Sequence, residues 1–175
     1  MRQNLEIKAR LVDRAKAREQ ALEVGARCQA TEVQRDTFFH AREGRLKLRV
    51  IDATGGVTSA WLIAYQRGDH SEARVSSYSL VEVTDPQGLR EALGRALGIR
   101  GEVRKTREIL LWKNVRIHLD QVAGLGDYLE YEAVLSDAMG EDLAASRESL
   151  HVLSTAMGID DSVRVAVAYA DLLGI

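Results

Sequence analysis

The stretch IHLDQVAGLGDYLEYE, residues 117–132, consists of two alternating runs separated by a turn that contains two glycines. His118 and Asp120 alternate with apolar residues in the first run, and Glu130 and Glu132 alternate with other residues in the second. A two-residue period is typical of a β-strand, in which successive side chains point to opposite faces. The stretch therefore predicts an antiparallel strand pair with one strongly charged face.

The same alternation recurs in most of the predicted strands, beginning with QNLEIKAR at residues 3–10. The polar row of these strands consists of Asn4, Glu6, Lys8 and Arg10; Arg45, Lys47 and Arg49; Tyr65 and Arg67; Lys105 and Arg107; Arg116, His118 and Asp120; and Tyr128, Glu130 and Glu132. Two architectures explain such a row. In an open sheet the charges face water, whereas in a closed barrel they face an interior where acids, bases and an ionic ligand must neutralise one another. Alternation alone favours the open sheet, because charge is inexpensive on an exposed face.

Sequence patterns typical of helix ends lie between some of these strands and after the last one. Asp13 and Asp85 are capping residues at helix starts, and glycines follow the last apolar positions. The predicted helices cover residues 13–26, 86–98, 141–158 and 162–174, and a glycine-rich turn is predicted at residues 54–56.

Composition and charge bound the function. The chain has 175 residues, 46% hydrophobic and 29% charged, which is typical of one folded domain. A net charge of −2 gives no global attraction to duplex nucleic acid or to a membrane. Cys28 is the one cysteine of the chain, so an internal disulfide cannot form, which fits a reducing cytosol. No apolar run approaches the roughly 20 residues that span a bilayer. We therefore expect a cytoplasmic protein without membrane contact.

Four motifs in order resemble one known family. NLEIK, GRLKLR, VRKTR and IHLDQVAGLGDYLEYE are together similar to the CYTH or triphosphate tunnel metalloenzyme superfamily, which includes class IV adenylate cyclases, thiamine triphosphatases and inorganic triphosphatases. The resemblance implies an α+β fold in which an eight-stranded antiparallel barrel forms a tunnel and helices pack outside it. It also implies a single domain over residues 1–175, with residues 139–175 as its C-terminal helical part.

The resemblance assigns roles to the polar row. The family signature ExExK reads Asn4, Glu6 and Lys8 here, so Glu6 and Lys8 match while Asn4 removes one negative charge. The implied metal ligands, for Mg²⁺ or Mn²⁺, are Glu6, Asp120, Glu130 and Glu132, and these four together with Lys8 are the implied catalytic residues. The implied triphosphate-binding residues are Lys8, Lys47, Arg49, Arg67, Lys105, Arg107 and Arg116. For Arg67 a surface role at a strand end is an equal alternative, and for His118 a hydrogen bond to a neighbouring carboxylate is favoured over a role as proton carrier.

The implied function is metal-dependent hydrolysis of a triphosphate such as tripolyphosphate, ATP or thiamine triphosphate. Three alternatives stay open: a class IV adenylate cyclase that converts ATP to cyclic AMP and pyrophosphate, a polyphosphate or nucleotide binder without turnover, and an open sheet used for protein interaction. Whether the apolar exterior forms a homodimer also stays open.

Overall fold

A computed structural model describes residues 2–53, 58–67, 74–135 and 141–175. The strands are β1 Arg2–Arg10, β2 Arg27–Phe39, β3 Arg45–Ala53, β4 Thr58–Arg67, β5 Arg74–Glu82, β6 Ile99–Trp112, β7 Val115–Val122 and β8 Gly126–Leu135. The helices are α1 Arg14–Glu23, α2 Pro86–Leu97, α3 Glu141–Ala156 and α4 Tyr169–Leu172. The predicted turn at residues 54–56 lies outside the described residues.

The strands close into an antiparallel barrel in the order β1, β5, β4, β3, β2, β6, β7, β8, with β8 returning to β1. At the closing seam Glu6 lies opposite Glu132, and Lys8 lies opposite Glu130. Closure pairs the backbone of every strand on both sides and removes the free sheet edges of an open sheet. The predicted α+β barrel is confirmed, and the open-sheet alternative is wrong.

The predicted starts of α1 and α2 are confirmed. The Asp13 carboxylate accepts a hydrogen bond of 2.9 Å from the Lys16 backbone N–H, and Asp85 accepts one of 2.9 Å from Gly88. These carboxylates satisfy N–H groups that have no partner within the helix. Among the described helices, none is long and apolar enough to cross a membrane.

The tail differs from the prediction beyond α3. A helix over residues 162–174 is wrong, because helical structure there is limited to α4. The Arg10 N–H donates to the Val163 carbonyl at 2.9 Å, and the Val165 N–H donates to the Lys8 carbonyl at 2.9 Å. Since β5 pairs with β1 only as far as Glu6, the backbone groups beyond Glu6 need other partners. The extended tail supplies them.

The largest apolar core lies outside the barrel wall. Outward residues of β1, β6, β7 and β8 pack against α1 and α3, and this cluster includes Leu5, Ile7, Leu110, Ile117, Leu119, Leu129, Tyr131, Leu150 and Leu153. The apolar faces of these strands are therefore covered by helices, and the opposite faces point into the barrel. The polar side chains lie on these inward faces, together with an apolar patch that includes Phe38 and Val103.

We expect Leu153→Ala to destabilise the protein, because Leu153 is fully buried between α3 and the barrel wall. The free energy of unfolding should fall by about 2 to 5 kcal/mol, measured by urea denaturation. Val152→Ala, on the same helix at a position that is 41% exposed, is the matched control and should change it by less than ~0.5 kcal/mol. Equal losses in both variants would contradict the position of this core.

Candidate functional site

A cavity of about 220 Å³ lies inside the barrel. Its charged lining consists of Glu6, Lys8, Asp36, Lys47, Arg49, Lys105, Arg107, Arg116, Glu130 and Glu132. The members of the polar row that line this cavity face inward, so the interpretation that alternation alone favoured, a solvated face, is wrong for them. A closed barrel can hold these charges because each described cluster contains both signs.

One acid–base group is formed by β2 and β3. Asp36 accepts hydrogen bonds from Arg49 at 2.7 Å through both of its oxygens and from Lys47 at 2.9 Å. Burial opposes ionisation, but the positive charges of Arg49 and Lys47 hold the pKa of Asp36 well below its usual range. Burial and the nearby Arg49 charge lower the pKa of Lys47 to about 8.

A second group repeats this arrangement on β6 and β7. Arg107 donates to the two oxygens of Asp120 at 2.7 and 2.6 Å and to Glu130 at 2.8 Å. Lys105 lies 3.7 Å from Asp120. Burial, followed by the charge of Arg107, lowers the pKa of Lys105 to about 7. Although burial opposes it, the charges of Arg107 and Lys105 keep the pKa of Asp120 below its usual range.

The closing seam between β1 and β8 brings further predicted residues into the cavity. Ser76 donates a hydrogen bond of 2.6 Å to Glu6. The Lys8 ammonium lies 3.6 Å from Glu130, whose pKa stays well below its usual range because, against the effect of burial, Lys8 favours the carboxylate. Asn4 is 3% exposed, and its side-chain oxygen accepts a 3.4 Å hydrogen bond from the Tyr78 hydroxyl.

Three further arginines of the polar row are placed differently from one another. Arg116 is half-exposed and lies 3.6 Å from Glu132. Arg45, on the same row as Lys47, is ion-paired with Asp171 of the tail at 2.7 Å. The backbone of Arg67 lies opposite Ser76, while its side chain is outside the described part of the chain, so its predicted phosphate contact stays a prediction.

Tyr169 of α4 forms part of the cavity wall, and the sequence analysis did not identify it. Its hydroxyl donates to Asp120 at 2.9 Å, and its ring lies 4.0 Å from the Lys8 ammonium and 5.2 Å from that of Lys105. Tyr169 also contacts Tyr128 edge-on, with ring centroids 5.1 Å apart. The predicted helix over the tail gave no indication of these contacts, which depend on the extended segment before α4.

Asp36 was not assigned a site role from the sequence, although its position resembles one in the family. It lies on the inward row of β2, two residues before Phe38, directly opposite Arg49. A single acidic residue in an alternating strand gives no signal of its partner, because the partner is set by strand register. Its parity relative to the basic row of β3 is the signal that could have found it.

Metal-ligand chemistry is concentrated on β7 and β8. Ligand atoms of His118, Glu130 and Glu132 all lie within 4.8 Å of one another. Two carboxylates in a cavity that already contains polar groups fit a divalent cation. Glu6 lies across the seam from Glu132, whereas both oxygens of Asp120 accept hydrogen bonds from Arg107 and one also from Tyr169. The structure thus groups Glu130 and Glu132 with His118, and Arg107 links Glu130 to Asp120.

Solved structures and a curated relative resemble this chain over almost its whole length. A provisionally named adenylate cyclase of Methanocaldococcus jannaschii is 26% identical over 179 residues, covering 98% of each chain. A protein of Pyrococcus horikoshii superposes with a TM-score of 0.80 at 23% identity, covering 97% of this chain and 98% of that one. A provisionally named adenylyl cyclase from Hippeastrum, described as having a dominant triphosphatase activity, superposes with a TM-score of 0.63 at 17% identity, covering 99% and 94%.

The sequence identifies the family. Residues 2–166 match the family profile described as CYTH domain. That match contains all eight strands of the closed barrel and the polar side chains that those strands turn into the cavity. This chain belongs to the CYTH domain family.

Proposed function

We propose that this protein hydrolyses a triphosphate inside the barrel with the help of a divalent metal ion, Mg²⁺ or Mn²⁺. The observation that carries the proposal is the convergence of basic side chains from β1, β3 and β6 and of carboxylates from β1 and β8 on one cavity. Basic groups bind phosphate oxygens through charge-assisted hydrogen bonds, and carboxylates bind hard cations. The triphosphatase activity described for the Hippeastrum relative supports the same reaction class.

Lys47, Arg49, Lys105 and Arg107 are proposed to bind the phosphate chain. Each pair is held by one carboxylate, Asp36 or Asp120, so the basic head groups are fixed before the ligand arrives. Preorganised charge is the main contribution that a protein makes to phosphoryl transfer, in which little covalent work falls to side chains. Lys8, Arg67 and Arg116 are proposed as further phosphate contacts.

Glu6, Glu130 and Glu132 are proposed to hold the metal ion, which would offset negative charge on the phosphate oxygens and orient an attacking water. Asp120 stays a predicted ligand, and it would have to exchange a hydrogen bond from Arg107 or Tyr169 to bind an ion. The positions of Glu130 and Glu132 on adjacent inward sites of β8 support their shared role.

Cyclisation of ATP to cyclic AMP and pyrophosphate is the second proposed function. The name of the Methanocaldococcus jannaschii relative favours it. In that reaction the ribose 3′-oxygen of ATP attacks the α-phosphorus, and the bond to the pyrophosphate leaving group breaks. The same phosphate and metal residues would serve both reactions, so the products decide between them.

Asn4, buried where the family signature has a glutamate, is the observation that favours binding without turnover.

The product formed from each triphosphate tests these functions. We expect the pure protein with Mg²⁺ or Mn²⁺ to release phosphate from tripolyphosphate, ATP or thiamine triphosphate, with the products resolved by ion-exchange chromatography. Glu132→Gln keeps the shape of the side chain and removes its charge, so turnover should fall roughly a hundredfold, as on loss of one preorganised electrostatic contact.

Glu102→Gln is the matched control for this assay, because Glu102 lies on the outer face of β6 beside the exposed Arg104 and should leave turnover unchanged. Cyclic AMP from ATP would replace the hydrolase proposal with the cyclase. Tight binding of tripolyphosphate without any product would replace it with the binder.

Proton uptake tests the role of Lys105. Because the pKa of Lys105 is lowered to about 7, this side chain is largely neutral at pH 8 in the free protein. A bound polyanion favours the protonated form, so Lys105 should take up a proton when tripolyphosphate binds at pH 8 and much less at pH 6, in addition to the protons exchanged by Lys47, whose pKa is about 8, and by tripolyphosphate itself. Its affinity should correspondingly fall from pH 7 to pH 9.

Calorimetry in two buffers of different ionisation enthalpy measures this uptake. The Lys105→Arg variant stays charged over the whole range, so it should take up fewer protons at pH 8 than the wild type. Equal uptake by the two proteins would show that Lys105 does not bind the polyanion in its protonated form.

A further inference from the structure

We propose that His118 is a nitrogen ligand of the metal site and that it makes the site prefer a transition-series ion, such as Mn²⁺, over Mg²⁺. The inference rests on the proposed function for the presence of an ion at Glu130 and Glu132. It adds a ligand and an ion preference that the carboxylates alone do not supply.

The position of His118 is the first argument. His118 lies on the inward row of β7, directly opposite Glu130 of β8, and it is 3% exposed. Its Nδ1 atom is buried and has no hydrogen-bond partner among the described residues. Buried polar atoms are nearly always paired, so an unpaired ring nitrogen facing two carboxylates indicates a missing partner.

The distances fit a cation shared by His118 and the two carboxylates. His118 Nδ1 lies 3.9 Å from Glu130 Oε2 and 3.7 Å from Glu132 Oε1, which is too long for hydrogen bonds. Two ligand atoms that each lie about 2.1 Å from one ion are separated by roughly 3 to 3.5 Å at ordinary coordination angles. Side-chain shifts of less than about 1 Å would therefore bring all three groups to one ion.

The ligand chemistry sets the ion preference. Mg²⁺ takes oxygen ligands and retains several waters, whereas an imidazole nitrogen suits transition-series ions. An imidazole added to the carboxylates raises the affinity for transition-series ions, least for Mn²⁺ and more for the later ions, and adds little for Mg²⁺. Together with Glu6, Glu130 and Glu132, His118 makes four protein ligands, and an octahedral ion keeps two further positions for water or phosphate oxygens.

Positive side chains around the carboxylates limit the affinity. Lys8 and Arg107 lie 3.6 and 2.8 Å from Glu130, and Arg116 lies 3.6 Å from Glu132. An ion competes with these cations for the same two carboxylates, so binding to the free protein should be weak. The test accordingly uses a direct spectroscopic probe at high protein concentration.

Pulsed electron paramagnetic resonance of Mn²⁺ bound to the untagged 175-residue chain is the test. We expect a ¹⁴N coupling of the size that a directly bound imidazole gives, and its loss in His118→Gln. His151→Gln, at an exposed position on α3, is the matched control and should keep the coupling. By calorimetry, the ratio of Mn²⁺ to Mg²⁺ affinity should fall roughly tenfold or more in His118→Gln and stay unchanged in His151→Gln.

Each result separates the inference from the proposed function. Bound Mn²⁺ without nitrogen coupling, coupling that persists in His118→Gln, or no Mn²⁺ binding at millimolar protein would overturn the inference. Tripolyphosphate binding without metal, retained by His118→Gln, shows that the variant is folded. If bound Mn²⁺ shows ¹⁴N coupling but no triphosphate gives a product, the inference about His118 stands and the hydrolase proposal is refuted. If a product forms only with metal but the spectrum shows oxygen ligands alone, the hydrolase proposal stands and the inference about His118 is refuted.

Discussion

Mutual neutralisation of buried charges is the constraint on which this structure depends. A charged side chain removed from water costs several kcal/mol unless a partner offsets it. Arg107 and Asp120 meet this requirement with two short hydrogen bonds, and Asp36 meets it for Arg49 and Lys47. Because each acid lies across a strand pair from its bases, the register of the barrel decides whether the interior can exist at all.

Because of the same constraint, the residues that stabilise the fold lie on a different face of the barrel wall from those proposed to bind a ligand. The barrel wall has charges on its inner face, so its largest apolar core forms on the outer face under α1 and α3. Burial of apolar area there offsets the cost of a polar interior. The inner side chains can therefore be arranged for binding, since the outer layer holds the strands in place.

The tail connects these two layers. Its extended segment pairs with β1 beyond Glu6, and α4 then brings Tyr169 to Asp120, Lys8 and Lys105. Asp171 of α4 forms an ion pair with Arg45. The tail was predicted as two helices, and the second was wrong because unpaired backbone groups of β1 outweigh a local apolar pattern. Arg45, a basic residue of the polar row, therefore has an ion-pair partner, Asp171, from a distant part of the chain.

The sequence by itself determined which residues share a face of each strand, because the two-residue period is a local property of the backbone. Capping residues likewise determined where α1 and α2 begin. Tertiary structure decided that the charged face points inward, since this requires β8 to close on β1 across more than a hundred residues. It also decided that Asp36 binds Arg49 and that His118 faces Glu130 and Glu132, because register between strands sets those distances. Alternation determines on which side of its own strand a side chain lies. Only closure of the barrel determines whether that side faces the cavity.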